Sequence, residues 1–186
     1  MKKINIIDTP RLFLRPMSER DTNLIVSWRK VLANEKNSAF INDNKNLTFE
    51  KQLFWFKNGR HNRMDYIFCE KINEKPIGSV HFKNINKFEG EAEAGKMIGE
   101  IKQKKKGFAK EAFGFWLKYG FEKLEFKKIY ILTNKKNTIN INLNLGLGFK
   151  ILEVKKKLII KGEEFIKMEI LKKDIYKIKN ALNISL

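Results

Sequence analysis

The stretch Ala92-Glu93-Ala94-Gly95-Lys96-Met97-Ile98-Gly99, followed four residues later by Lys104-Lys105-Lys106-Gly107-Phe108-Ala109-Lys110-Glu111-Ala112, decides how this chain is read. The first part has the pattern of a strand, while residues 107–121 place Phe108, Ala112, Trp116 and Tyr119 or Gly120 at helical spacing. Between them lies a turn of small and cationic residues that opens a helix. A helix start of that kind presents backbone N–H groups without intrahelical partners and the positive end of the helix dipole, which together bind phosphate. Gly107 lets the backbone come close to a ligand, Ala109 keeps the first turn uncrowded, and Lys104, Lys105, Lys106 and Lys110 add charge. The competing reading is a solvated lysine run in front of an ordinary helix.

Working outward, residues 66–98 keep the period of strands. Residues 66–70, 78–83 and 92–98 are expected as three strands of an antiparallel meander, because breakers in residues 71–76 leave only a short connection. Beyond the helix, residues 129–133 form a compact strand; the order strand, helix, strand places it parallel to residues 92–98. Toward the N-terminus, Leu12 and Leu14 alternate with Arg11, Phe13 and Arg15 until Pro16 stops the run. Ser18 and Asp21 then approximate a capping box ahead of Leu24, Ile25, Trp28 and Leu32. Residues 34–46 read as a polar loop, and Thr48 as the N-cap of a short helix that turns Leu53, Phe54 and either Trp55 or Phe56 inward. Toward the C-terminus, residues 137–145 are expected as a short helix ended by Gly146-Leu147-Gly148. Residues 149–160 and 164–171 then form a hairpin, and the tail, residues 172–186, has weak helical periodicity. The sum is one domain over residues 1–171, with about seven strands and about four helices in a mixed, mostly antiparallel α/β arrangement.

Composition narrows the function classes. The chain has 186 residues, enough for one real core, and 42% hydrophobic residues with 3 Pro and 11 Gly, which is a folded profile. No run of ~18 apolar residues offers a membrane span and the N-terminus has no secretion signal, so a cytoplasmic protein is expected. Cys69 is the one cysteine, so an internal disulfide and a cysteine zinc site are excluded; its apolar strand setting favours packing over nucleophilic chemistry. Only His61 and His81 are present, and no metal is expected. The net charge of +18 favours anionic partners, whether nucleic acid, a phosphorylated coenzyme or an acidic surface, without choosing among them.

The strand, lysine loop and helix resemble those of the GNAT superfamily of acetyltransferases. That family's coenzyme signature is Gln or Arg, two residues, Gly, one residue, then Gly or Ala; Lys104 takes the first place, Gly107 the fourth and Ala109 the sixth. Lysine is a departure that keeps a cationic donor. The likeness extends over residues 9–171, through Leu12-Phe13-Leu14-Arg15-Pro16, Asp21, Asn137 and Leu147-Gly148-Phe149-Lys150. It implies a twisted sheet whose 92–99 strand splays from its neighbour, and acetyl-CoA as co-substrate without a metal. It further implies that Met97, Ile98 and Gly99 pair with the pantetheine arm, that residues 104–110, Phe108 included, hold the pyrophosphate, and that Asn137 lines the coenzyme's other side.

The tyrosine that many members use to protonate the departing thiolate aligns with Asn144, which cannot act as that acid, although it can donate a hydrogen bond to sulfur. The acceptor amine must also lose a proton before it attacks. Glu93, on the face of Gly95 and Met97, is the first candidate base and His81, on the preceding strand, the second; the competing readings are a cross-strand ion pair and an ordinary strand histidine.

Trp28, Arg29, the 34–46 loop and the segment from Thr48 to Trp55 resemble acetyltransferases of nucleotide-linked aminosugars. In that case Trp28, Arg29 and Trp55 frame the acceptor, the arginine on phosphate and the indoles on sugar or base. The Leu-Arg-Pro opening is shared with ribosomal-protein N-terminal acetyltransferases, which makes a protein amine, or another small amine, the alternative acceptor. From a different class, the charge permits an RNA- or ribosome-binding protein with a degenerate coenzyme site. A homodimer is compatible with each of these.

Overall fold

A computed structural model describes residues 5–33, 46–153 and 156–183. The 34–45 part of the polar loop lies outside the described residues, as do positions 154–155 of the expected hairpin and the last three residues.

The chain runs β1 (Ile7–Asp8), β2 (Leu12–Pro16), α1 (Thr22–Ala33), α2 (Phe49–Asn58), β3 (Met64–Glu70), β4 (Pro76–Asn86), β5 (Glu91–Ile98) and α3 (Phe108–Glu122). It continues through β6 (Lys128–Asn134), α4 (Thr138–Gly146), β7 (Lys150–Ile151), β8 (Leu158–Ile160), β9 (Glu163–Leu171) and α5 (Ile175–Ala181). One sheet carries them in the order β1-β2-β3-β4-β5-β6-β9-β7, with β8 also on β9. Among these pairs only β5 with β6 is parallel, as the strand, helix, strand order requires. The extra strands over the expected seven are the two-residue β1 and the division of residues 149–160 into β7 and β8, both paired to β9.

Helices α3, α4 and α5 cover one face and α1 and α2 the other. The alternation within β5 shows it: Ala92 and Ala94 lie in the core under α3, whereas Met97 packs with Trp28 and Ile25 of α1. Trp116 of α3 anchors the first core, fully buried and stacked on Phe82 with centroids 4.5 Å apart, with Tyr66 at 4.7 Å. Aromatic pairs of this geometry add ~1 kcal/mol each to the ~3 kcal/mol of burying such a ring. Residues 172–183 pack into the same core: Ile178 is fully buried, and Leu182 fills the space left by Gly114 of α3.

Local signals explain the helix starts. The Ser18 N–H donates to Asp21 Oδ2 at 2.7 Å ahead of α1, and the Lys51 N–H donates to Thr48 Oγ1 at 3.3 Å in α2. The inward face of α2 differs from expectation. Phe54 is 70% exposed and Gln52 is buried, because the face toward α1 runs through Gln52, Trp55 and Phe56 instead.

Candidate active site at the opening between two strands

Strands β5 and β6 stay paired over three positions only, Glu91 with Lys128, Ala92 with Ile129 and Glu93 with Tyr130. Past Glu93, β5 continues on β4 and β6 continues on β9, so a cleft opens between them. The Gly99 N–H donates to Ile77 O at 2.9 Å, which sets the phase of the β4–β5 ladder. In an antiparallel ladder hydrogen-bonded pairs alternate, so Met97 and Gly99 turn their backbone groups to β4, while Lys96 and Ile98 turn theirs into the cleft. Of the three residues expected to meet the pantetheine arm, Ile98 is therefore the one whose backbone polar groups face that opening.

At the near end of the cleft the chain makes a tight turn at Ile101–Gln103 and enters α3 with Gly107 as N-cap at φ 83°. Only glycine takes that left-handed conformation without steric cost. The first intrahelical bond is Glu111 N–H to Gly107 O, so the N–H groups of Phe108, Ala109 and Lys110 lie ahead of it, pointing outward from the helix start. Lys105, Lys106 and Lys110 are exposed around them and Lys104 is half-buried. Phe108 can offer only its backbone, since its ring is buried and lies under the Arg11 guanidinium at 4.6 Å.

The loop is braced from a distance. Glu111, buried in the first turn of α3, accepts from Thr9 Oγ1 at 2.7 Å, from the Arg11 backbone N–H at 2.8 Å and from Arg11 Nε at 2.6 Å. Arg11 Nη1 also donates to Lys106 O at 3.0 Å, so one side chain couples the start of β2 to the lysine loop. Replacing Lys104, Lys105 and Lys106 by alanine is expected to weaken coenzyme A binding ~10-fold at low salt, with the difference shrinking as salt rises. Titration calorimetry at two ionic strengths checks this; a salt-independent loss would locate the effect in the loop's conformation instead.

The far side of the cleft is α4. Asn137 caps it, accepting from the Asn140 N–H at 3.1 Å, and Asn144 is fully buried at its last turn. Asn144 Oδ1 accepts from Lys96 Nζ at 2.7 Å, which fixes the amide orientation and leaves Nδ2 buried without a partner among the described residues. Lys96 also lies over the Phe113 ring, 4.0 Å from its centroid. Burial pushes the Lys96 pKa down to about 7.

On the opposite face, around α1 and α2, a cationic cluster forms. Arg63 Nε donates to both carboxylate oxygens of Asp65, at 2.8 and 2.9 Å, and Arg60 reaches the same group at 3.3 Å. Arg63 lies over Trp55 at 5.0 Å, and Arg29 Nη1 makes a long contact of 3.4 Å with Gln52 Oε1. Two guanidinium groups thus share one carboxylate, and Arg29 lies within its electrostatic reach. Burial first and Arg63 next lower the Arg29 pKa, against the opposing pull of Asp65. Gln52 Nε2 is buried without a partner among the described residues.

His81 stands beside this cluster with its imidazole across Gly95, where a Cβ would meet the ring at 2.4 Å. Burial, then Arg63, Lys83 and Arg29, push its pKa well below the usual imidazole range, so the ring is neutral at pH 7. Glu93, on the same face, is buried and already paired, with Lys83 Nζ at 2.9 Å and Asn84 Nδ2 at 3.0 Å. Trp28 is 3% exposed, packs against Gly99 and donates from Nε1 to Glu100 at 3.0 Å. The structure thus brings Arg29, Trp55 and His81 together, and adds Arg63 and Gln52, which the sequence reading did not single out. The spacing of Arg63, just before β3, and Asp65 within it was a visible signal for part of this cluster.

A sheet opened between two parallel strands, with a glycine-capped cationic helix start at its mouth, defines a fold that receives an extended phosphorylated coenzyme. The chain belongs to the GNAT acetyltransferases: the sequence profile of the acetyltransferase (GNAT) domain matches residues 11–150. No curated protein sequence matches the chain significantly. Among solved structures, the apo form of FdhC, a nucleotide-linked sugar GNAT, is similar with a TM-score of 0.78 at 19% identity, over 95% of this chain and 96% of that one. Spermidine N-acetyltransferase from Vibrio cholerae in complex with CoA and spermine gives 0.74 at 21% identity, over 89% and 98%. A putative ribosomal-protein-serine acetyltransferase from the same organism gives 0.72 at 17%, over 92% and 99%. The protein is an N-acetyltransferase with the GNAT fold, and no metal-holding cluster of His, Cys, Asp or Glu occurs among the described residues. No helix among them is long and apolar enough to cross a membrane.

Proposed function

We propose that the acceptor is the amino group of a nucleotide-linked aminosugar, acetylated by direct attack in a ternary complex with acetyl-CoA. The observation that carries this is the pairing of Arg60 and Arg63 with the single carboxylate of Asp65, with the charge of Arg29 close enough to feel both Arg63 and Asp65. Positive charge in excess of its partner, partly withdrawn from water, is stabilised by an anionic ligand, and guanidinium forks match phosphate oxygens. A polyamine acceptor would add cations to it. Trp55 beside Arg63 offers the apolar surface that a base or sugar ring needs.

Acetyl-CoA supplies the acetyl group as an activated thioester. Lys104, Lys105, Lys106 and Lys110, with the backbone N–H groups of Phe108, Ala109 and Lys110, would hold its pyrophosphate. The backbone of Ile98 and the orphaned Asn144 Nδ2 would meet its arm, with Asn137 on the same side. The buried unpartnered amide is what a polar group entering the cleft would satisfy, so the residues present fit the coenzyme. Toward the acceptor, His81 is the group suited to take the proton from the attacking nitrogen: its neutral ring keeps a lone pair, and it faces the arginine cluster. Glu93 contributes charge to that face through its pair with Lys83 rather than a free carboxylate.

With coenzyme A saturating, a nucleoside diphosphate is expected to raise the melting temperature while spermidine leaves it unchanged. A rise with spermidine and none with the nucleotide would overturn the acceptor assignment.

A further inference from the structure

Lys96 is a polar group that the acceptor chemistry above does not use. It stands on β5 past the last β5–β6 pair, inside the opening of the sheet. Its side chain leaves the strand on the face opposite to His81, since Lys96 alternates with Gly95, over which the imidazole lies. Its ammonium meets the Asn144 amide from α4 at 2.7 Å and the Phe113 ring from α3 at 4.0 Å, neither of which titrates. No carboxylate among the described residues pairs with it. An ammonium group without a counter-ion in such a place destabilises the folded chain, so its presence there points to use.

We propose that Lys96 is the general acid that protonates the departing coenzyme thiolate, with Asn144 positioning its Nζ; this rests on the acetyltransferase reading of the same cleft. As the carbon–sulfur bond breaks, its electron pair stays on sulfur. One N–H bond of the Lys96 ammonium breaks, the proton joins sulfur to give the thiol, and the N–H pair remains on Nζ as a neutral amine. The proton that the acceptor nitrogen gives up on the other face, passed to solvent, balances the one that returns Lys96 to its ammonium form. Asn144 has no acidic proton, so it serves by accepting from Nζ and holding it in the cleft. A lysine whose pKa lies at about 7 is a stronger acid than a thiol of pKa ~8.5, so the transfer runs downhill.

The test uses the full chain with coenzyme A and two variants. K96M keeps the length of the side chain and removes the acid; K96R keeps the charge, but its guanidinium does not give up a proton near pH 7. Both are expected to bind coenzyme A and to lose ~100-fold in kcat with a smaller change in KM. Independently of turnover, the ultraviolet absorbance of the bound coenzyme thiolate is expected to appear at lower pH with K96R, whose side chain stays charged, than with the parent, whose Lys96 is already neutral where the thiol ionises. Nitrogen NMR of lysine-labelled parent is expected to show the Lys96 titration moving when coenzyme A binds, and staying in place with its desulfo analogue. Coenzyme binding with the same thiol ionisation in parent and K96R, or a K96R variant with parental kcat, would overturn the role of Lys96 alone. Failure of the parent to bind coenzyme A would overturn the coenzyme reading and this inference with it.

Discussion

Replacing Glu111 by alanine is expected to destabilise the protein by about 3 kcal/mol and to lower the melting temperature by roughly 10 °C. The carboxylate is buried and accepts three hydrogen bonds, from the Thr9 hydroxyl and from both the backbone and the guanidinium of Arg11. Removing it leaves the Arg11 N–H and the Thr9 hydroxyl without that acceptor, and unsatisfied donors cost ~1–3 kcal/mol each when buried. Arg11 is half exposed, so water recovers part of the guanidinium's loss and the total stays near the lower end of the range for buried pairs. The same change releases the brace on Lys106, so coenzyme A affinity is expected to fall ~10-fold as well. Arg11→Ala narrows the comparison: it keeps the Thr9 and Arg11 backbone bonds to Glu111 and loses the guanidinium's bond to Glu111 together with the tie to Lys106. Calorimetric unfolding and coenzyme titration of both variants check this. A Glu111→Ala protein with parental melting temperature and affinity would show that the lysine loop holds its shape unaided.

Replacing Arg29 by methionine is expected to raise KM for the acceptor ~10–100-fold while kcat changes little. A charge-assisted contact to phosphate contributes ~1.5–3 kcal/mol, and removing binding made equally in ground and transition states moves KM rather than kcat. Without ligand the same variant is expected to be as stable as the parent or more so. Burial already disfavours the Arg29 charge, Arg63 repels it, and its guanidinium makes only a long contact with Gln52 among the described residues. Stability and affinity moving in opposite directions would mark Arg29 as a binding residue. An unchanged KM with a lower melting temperature would mark it as structural.

What the sequence made legible follows the range over which its signals act. The glycine-capped lysine turn, the capping box at Ser18 and the Thr48 cap are local, and each stands where its residue types place it. The parallel pairing of β5 with β6 was also legible, because a strand, helix, strand order admits one handed solution. The brace between Arg11 and Glu111 was not: the two are separated by 100 residues, and neither has a local reason to be charged. The same holds for Lys96, which read as one more lysine in a chain with net charge +18 until the end of the β5–β6 ladder put it beside Asn144. Arg63 and Asp65 stand two residues apart at the start of β3, yet only the fold brings Arg29 and His81 to them. Phe54 misled because a short helix packed on one neighbour shows its apolar stripe weakly; register with α1 selected Gln52 instead.

The most direct test is to mix the protein with acetyl-CoA and, in separate reactions, a nucleotide-linked aminosugar, an N-terminal peptide and spermidine, and to follow release of the coenzyme thiol. The expected result is a kcat/KM for the aminosugar at least ~100-fold above that for spermidine or the peptide, as a site built around guanidinium groups discriminates. A higher kcat/KM for spermidine than for the nucleotide-linked sugar would contradict it.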